Sequence, residues 1–194
     1  MFLDEPSLED FFAQCSAAID AADAKALRYA VTHFAQFCYD KDPESVASDE
    51  LVAFLDAMVR STKFQELDGS YQLLRILEYD WAAFTEPQRD LLLRAIEVSF
   101  AKFSDGMAWF VLSDVMGEFY REKALPTLMR LASARNDGPR SMVPHGLERI
   151  ANESLDSAVR SRCVKKIALM QQDESPRVQQ AARESLARLE ARGG

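Results

Sequence analysis

The sequence predicts an all-α fold, and three observations lead to that prediction. Strong helix formers dominate the chain throughout, runs of alternating β-branched residues are absent, and 48% of the 194 residues are hydrophobic. Only 7 glycines and 7 prolines occur, and no Ser/Gly-rich linker interrupts the chain. We therefore predict one continuous domain that spans residues 1–194 and is large enough to bury a sizeable core.

In the first half of the chain, apolar residues at helical spacing mark five helices. They begin after Ser7, near residue 24, after Ser48, near residue 69 and after Thr85. Ser7 and Thr85 are followed three residues later by Asp10 and Gln88, which is the spacing of a capping box. These two helix starts are therefore the best defined of the five.

In the second half, five more helices are predicted, at about 107–120, 124–131, 142–150, 156–170 and 173–189. In the last one Pro176 stands in the first turn, where its missing N–H costs no hydrogen bond. The apolar stripe of this helix consists of small or branched residues, namely Val178, Ala181, Ala182, Ser185 and Leu189. Small alanines in the stripe allow a neighbouring helix to approach closely.

A period of about 40 residues links these helices into pairs. Tyr39-Asp40 and Tyr79-Asp80 lie 40 residues apart, and Tyr120 follows 41 residues later, each near a helix end. Two helices per period is typical of stacked helical repeats. The predicted pairs are 1–40, 41–80, 81–120, 121–153 and 154–194.

Two phrases in the second half resemble HEAT-like repeats. They are the V-x-x-A-A-x-x-x-L-x-x-L pattern of 178–189 and the A-L-P-x-L phrase of 124–128. The resemblance is specific for residues 121–194, while the repeats in 1–120 are degenerate and rich in aromatic residues. It implies an α-α superhelix, or solenoid, of about five HEAT-like helix pairs. It also implies a binding protein, because such solenoids usually hold partners.

Charge is distributed unevenly along the chain. The net charge is −8, with −11 in residues 1–97 and +3 in residues 98–194. An acidic half repels nucleic acid and attracts basic partners, so we expect a basic protein partner and no nucleic acid. No 18-residue apolar span or basic leader occurs, and Cys15, Cys38 and Cys163 are few and far apart. A cytoplasmic protein with reduced thiols and no membrane contact is expected.

The sequence contains no recognisable motif for catalysis, metal binding or cofactor binding. The two histidines, His33 and His145, have no Cys, His or carboxylate at metal-ligand spacing. No nucleophile elbow, dinucleotide fingerprint or phosphate-binding glycine loop occurs. We therefore predict no catalytic residue, no metal site and no cofactor.

Acidic and aromatic residues near the predicted repeat ends are the candidate partner-binding residues. Carboxylates on a helix face are commonly just solvated, and aromatic residues at helical spacing commonly belong to the core. Exposed Trp and Tyr are nevertheless typical interface anchors. The candidates are Asp40, Glu78, Asp80, Trp81, Trp109, Asp114, Glu118 and Tyr120.

A protein-binding module is the function that these observations favour. In size, acidity and helical style the chain resembles bacterial immunity proteins, which implies an inhibitor that occludes a basic partner such as a toxin nuclease. A scaffold or adaptor is one alternative. A helical-repeat enzyme or lyase is the other, similar to helical-repeat DNA glycosylases or phycobilin lyases. The glycosylase class needs a basic concave face, and the acidic first half argues against it.

Overall fold

The structure, a computed structural model, describes residues 7–39, 47–67, 69–77 and 83–193. Within these ranges the regular elements are helical and no strand occurs, which confirms the all-α prediction. The chain divides into two compact units, Met1–Val98 and Ser99–Gly194. The single continuous domain and the superhelix of five helix pairs stay predictions.

Five of the six helices described in the first unit begin within two residues of a predicted start, and the short helix Thr62–Glu66 was not predicted. The six are α1 (Leu8–Asp20), α2 (Ala24–Tyr39), α3 (Asp49–Arg60), α4 (Thr62–Glu66), α5 (Tyr71–Leu74) and α6 (Glu86–Ser99). The capping box of Ser7 and Asp10 is present at the start of α1. At the start of α6, the Thr85 N–H donates to Gln88 Oε1 (2.9 Å) and the Gln88 N–H donates to Thr85 Oγ1 (3.4 Å). Both predicted capping boxes are therefore confirmed.

Stacked aromatic rings join the first helices of this unit. Phe11 on α1 stacks on Phe34 on α2, with ring centroids 3.9 Å apart, and Phe12 stacks on Phe54 of α3 at 4.3 Å. The stacked rings remove apolar surface from water between the three helices, which stabilises the unit. Phe11 and Phe34 thus belong to the core of this unit, whereas Phe12 and Phe54 are half-buried.

The second unit contains one long helical segment, residues 105–120, that changes from an α-helix to a π-helix. Asp105–Phe110 (α7) is α-helical and continues as a π-helix, Val111–Tyr120, with 3₁₀ turns at Phe100–Lys102 and Arg121–Ala124. The later helices are α8 (Leu125–Leu131), α9 (Asp137–Arg140), α10 (Val143–Glu153), α11 (Ser157–Met170) and α12 (Pro176–Gly193). The prediction of an α-helix over 107–120 is therefore wrong beyond Phe110, where the helix is a π-helix.

The predicted stripe of α12 is confirmed in most of its members. Val178, Ala182, Ser185 and Leu189 are buried, and Ala181 is half-buried. The helix begins at Pro176, as its position in the first turn predicts.

A buried arginine ties together the turns of the second unit. Arg140 is 5% exposed and donates to both carboxylate oxygens of Asp173, at 3.1 and 2.8 Å. Its Nη1 donates to the backbone carbonyls of Ala134 (2.6 Å) and Arg135 (3.2 Å). A buried charge is tolerated only when it is paired and hydrogen-bonded, and both conditions hold here. The side chain thereby joins the turn after α8 to the turn between α11 and α12.

Helix α10 lies at the centre of the second unit. It packs against the π-helix, α8, α11 and α12. Gly146 lets it approach the π-helix closely, because a Cβ at this position would lie 2.9 Å from the Leu112 carbonyl oxygen and 3.2 Å from Leu128 Cδ2. Real Cβ atoms do not come that close to a backbone oxygen, so this contact requires glycine.

Replacing Gly146 with alanine should therefore destabilise the protein by about 1–3 kcal/mol through overpacking. Alanine in a helix is ordinarily better than glycine by about 0.5–1 kcal/mol, so the expected change has the opposite sign to helix propensity. Urea denaturation of the purified variant measures the difference.

Gly106→Ala is the matched control, because Gly106 is exposed in the first turn of α7. It should leave stability unchanged or raise it slightly. Equal stability of the Gly146→Ala and Gly106→Ala variants would show that α10 does not need the close contact.

Candidate functional site

Four of the eight predicted site residues fall outside the described ranges, namely Asp40, Glu78, Asp80 and Trp81. The other four lie on the helical run 105–120. The side chain of Glu118 is not among those that the structure describes. Tyr120 is 8% exposed and offers little surface, Asp114 is half-buried, and Trp109 is 46% exposed. Trp109 is thus the predicted anchor residue with the most accessible side chain among those described.

Trp109 borders a cavity of about 550 Å³ within the second unit. Ser113 of the π-helix lies on the same side as Trp109, and α10 and α12 provide the other walls. The polar and charged lining residues from these two helices are His145, Glu148, Arg149, Asn152, Glu153, Arg188 and Arg192. We call this cavity the Trp109 cleft.

The indole ring of Trp109 is held in place by its neighbour on α10. The rings of Trp109 and His145 meet edge to face, with centroids 4.9 Å apart and an interplanar angle of 71°. Edge-to-face packing is a preferred geometry for aromatic rings. Because His145 immediately precedes Gly146, the close contact of α10 with the π-helix brings the two rings together.

A buried carboxylate organises the wall between α10 and α12. Glu148 is 8% exposed, and Arg188 donates to both of its oxygens through Nε (3.0 Å to each) and through Nη2 (2.9 Å to Oε2). The same Nη2 lies 2.9 Å from His145 Nδ1 and donates to Ser185 Oγ at 3.2 Å. Charge-assisted bonds of this kind are stronger than neutral ones, so the wall has one preferred arrangement.

The contact with Arg188 determines the tautomer of His145. A guanidinium group only donates hydrogen bonds, so its 2.9 Å contact with Nδ1 favours the neutral tautomer in which Nδ1 accepts and Nε2 carries the proton. Glu148 Oε2 is 3.8 Å from Nδ1, too far for a hydrogen bond. Burial lowers the pKa of His145 below its usual value, and the positive charge of Arg188 lowers it further. The imidazole is therefore neutral at pH 7.

On the opposite side of the cleft, Arg149 faces the π-helix. Its Nη1 lies 3.7 Å from the carboxylate of Asp114 and 3.4 Å from Ser113 Oγ. Asp114 was predicted to face a basic partner. In the structure its charge is already offset in part by Arg149, at a distance where solvent screening keeps the attraction weak.

The residues that organise this wall carry no motif that predicts them. Glu148 and Arg188 were not among the candidates, and His145 was given no role. The sequence does contain one indication of the pairing. Glu148 and Arg188 are 40 residues apart, which equals the repeat period seen in the sequence. His145 and Glu148, three residues apart, also share one face of a helix.

The described cysteines are buried thiols. Burial raises the pKa of Cys15 to about 12 and that of Cys163 to about 11. A thiol rather than a thiolate is present at neutral pH, so neither side chain is a ready nucleophile. The side chain of Cys38 lies outside the described ones.

Two further findings apply to the part of the chain that the structure describes. No group of three His, Cys, Asp or Glu side chains is placed to hold a metal ion. No helix combines the length and the apolar character that crossing a membrane requires.

Protonation of His145 should destabilise the fold. Its pKa is lower in the folded state than the ordinary value of about 6.5 that applies when the chain is unfolded, so the unfolded chain binds the proton first on acidification. The stabilisation is fully present above about pH 6.5 and is lost as the pH falls below that value toward the folded-state pKa. Urea denaturation at pH 7.5 and pH 5.5 measures this loss.

The control is His145→Gln, whose amide oxygen can accept from Arg188 without titrating. The wild-type protein should lose more stability than this variant over the same interval. Equal losses, or a His145 pKa above 6.5 in an NMR titration, would contradict the lowering of the His145 pKa by burial and by Arg188.

Comparison of the chain with protein families, with curated proteins and with solved structures finds no match. The resemblance to HEAT-like repeats therefore stays a prediction that rests on residues 121–194. The helical architecture and the Trp109 cleft are the observations on which a function can be proposed.

Proposed function

We propose that the protein is a protein-binding module and that the Trp109 cleft is its contact surface. The observation that carries this proposal is the exposure of Trp109, a large aromatic side chain that is 46% accessible on an ordered helix. Exposed tryptophan is enriched among the residues that dominate binding energy at protein interfaces. The ring lies beside a cleft, so a partner can bury it.

Preorganisation of the cleft supports this choice. Trp109 packs against His145, and Arg188 is fixed by Glu148 and Ser185 before any partner arrives. Side chains that are already ordered lose less conformational entropy on binding. The same order argues for recognition over acid–base chemistry, because the Nδ1 of His145 is engaged by Arg188.

Trp109→Ala should weaken binding to the partner by about 2 kcal/mol or more, mainly through faster dissociation. The partner is first captured from native extract with the tagged wild-type protein and identified. Surface plasmon resonance then gives the two rate constants for each variant.

Tyr29→Ala is the matched control, because Tyr29 is 63% exposed on α2, outside the cleft. It should bind as the wild-type protein does. Equal affinity of the Trp109→Ala and Tyr29→Ala variants would refute the assignment of the contact surface, provided that both melt at the wild-type temperature.

An inhibitor of the immunity type, which covers a basic partner such as a toxin nuclease, is a more specific candidate. The observation that favours it is the net charge of −11 on the Met1–Val98 unit. A field of one sign accelerates the encounter with a partner of opposite sign. A scaffold or adaptor has no such charge requirement, so charge reversal distinguishes the two.

Glu50→Lys combined with Glu66→Lys should slow association with a basic partner several-fold while leaving the dissociation rate nearly unchanged. Both side chains are exposed in the first unit. The effect should shrink at high salt, because the Debye length falls from about 10 Å at 0.1 M to about 3 Å at 1 M. Stopped-flow mixing at both salt concentrations measures it.

Glu174→Lys combined with Glu190→Lys changes the charge by the same amount at two exposed positions of the other unit. This control should have a smaller effect. Association that is insensitive to both double variants and to salt would exclude the inhibitor and leave the scaffold or adaptor.

A further inference from the structure

Three kinds of helix follow one another between Asp105 and Leu131. The α-helix α7 continues as a π-helix of ten residues, Val111–Tyr120, and then as a 3₁₀ turn, Arg121–Ala124, before α8 begins. π-Helices are rare and mostly last a single turn. A π-helix of this length, followed directly by a tighter 3₁₀ turn, therefore needs a cause outside the segment.

The backbone is strained at the point where the π-helix ends. Arg121 has φ 50° and ψ −126°, a conformation that is open to glycine but unfavourable for a residue with a Cβ atom. Strain of this kind persists only where the surrounding structure imposes it. The π-helical path therefore carries a cost at Arg121 that other contacts must offset.

Helix α10 supplies the contacts that impose this path. Gly117 lies so close to α10 that a Cβ at this position would be 3.1 Å from Arg149 Cβ. Arg149 Nη1 donates to Ser113 Oγ at 3.4 Å. Glu153, the last residue of α10, lies 3.7 Å from the guanidinium of Arg121. Packing against α10 therefore favours the π-helix.

The sequence of the same segment favours a different arrangement. Its apolar residues recur at intervals of three and four positions, which is the period of an α-helix: Ala108, Val111, Leu112, Val115 and Phe119. The same spacing predicts an α-helix over 107–120. An α-helix would also give Arg121 an ordinary negative φ. Local sequence and tertiary packing thus favour two different helices.

We infer that Val111–Arg121 is a two-state segment that converts between the π-helix held by α10 and the α-helix favoured by its sequence. A π-helix joins residues five positions apart and an α-helix residues four apart, so the conversion rotates Ser113 and Asp114 relative to Trp109. Both side chains then leave Arg149, and one wall of the Trp109 cleft is withdrawn. A partner bound in the cleft selects the π state, and this selection rests on the proposed function.

Saturation-transfer NMR on the ¹³C,¹⁵N-labelled full chain tests the inference, because it detects a sparsely populated state that exchanges in milliseconds. Residues 111–121 should exchange with a minor state whose ¹³Cα shifts are those of a helix. The signals of α11, which lies outside the segment, should show no such exchange and serve as the control. Absence of a minor state would overturn the inference. So would a minor state with the ¹³Cα shifts of an unfolded chain, because it would show local unfolding.

Arg121→Gly should lower the population of the minor state at least about fivefold relative to Arg121→Ala, because glycine removes the strain of the π state. The alanine variant is the matched control, since it loses the same contact with Glu153 but keeps a Cβ atom. Equal populations in the two variants would overturn the inference. A larger population in the glycine variant would also overturn it, because glycine promotes local unfolding.

The outcome is separable from that of the proposed function, because the NMR experiment needs no partner. If the helical minor state is found but partner capture does not depend on Trp109, the protein-binding function fails at this surface while the two-state segment stands. If a partner is captured through Trp109 but no helical minor state is found, the two-state segment alone fails.

Discussion

The close contact of Gly146 with the carbonyl oxygen of Leu112 determines how the second unit is built around the Trp109 cleft. At this point α10 presents backbone rather than a side chain, so it lies directly against the π-helix. A side chain here would push the two helices apart. His145 and Glu148, on the same helix as Gly146, would then move away from Trp109 and Arg188. The width of the Trp109 cleft therefore depends on the absence of a side chain at Gly146.

The buried carboxylate of Glu148 adds a second constraint. Removing a carboxylate from water is costly, and the cost is offset only when its oxygens are well paired. Arg188 meets that need from α12, which fixes the register of α12 against α10. The same guanidinium keeps His145 in one tautomer. The side chains that line the solvent-facing Trp109 cleft are thus held in place by the buried carboxylate of Glu148.

Local features of the fold could be predicted because they depend on residues within four positions of one another. The capping boxes at Ser7 and Thr85 and the stripe of α12 are examples. The π-helical path of Val111–Tyr120 has no comparable local pattern, and it runs where α10 approaches most closely. In the site, Trp109 was a candidate because it is an aromatic residue near a predicted repeat end, and the structure leaves it 46% exposed. The pairing of Glu148 with Arg188 was not, because contacts between residues 40 positions apart depend on how helices pack.

The two described cysteines give each compact unit an internal probe. Cys15 is buried in the first unit and Cys163 in the second. A buried thiol with a raised pKa reacts with an alkylating reagent only when the surrounding helices open. The alkylation rate of each cysteine therefore reports the opening of its own unit. A comparison of the two rates, resolved by mass spectrometry, would show whether the acidic and the basic half of the chain unfold as one cooperative body or as two.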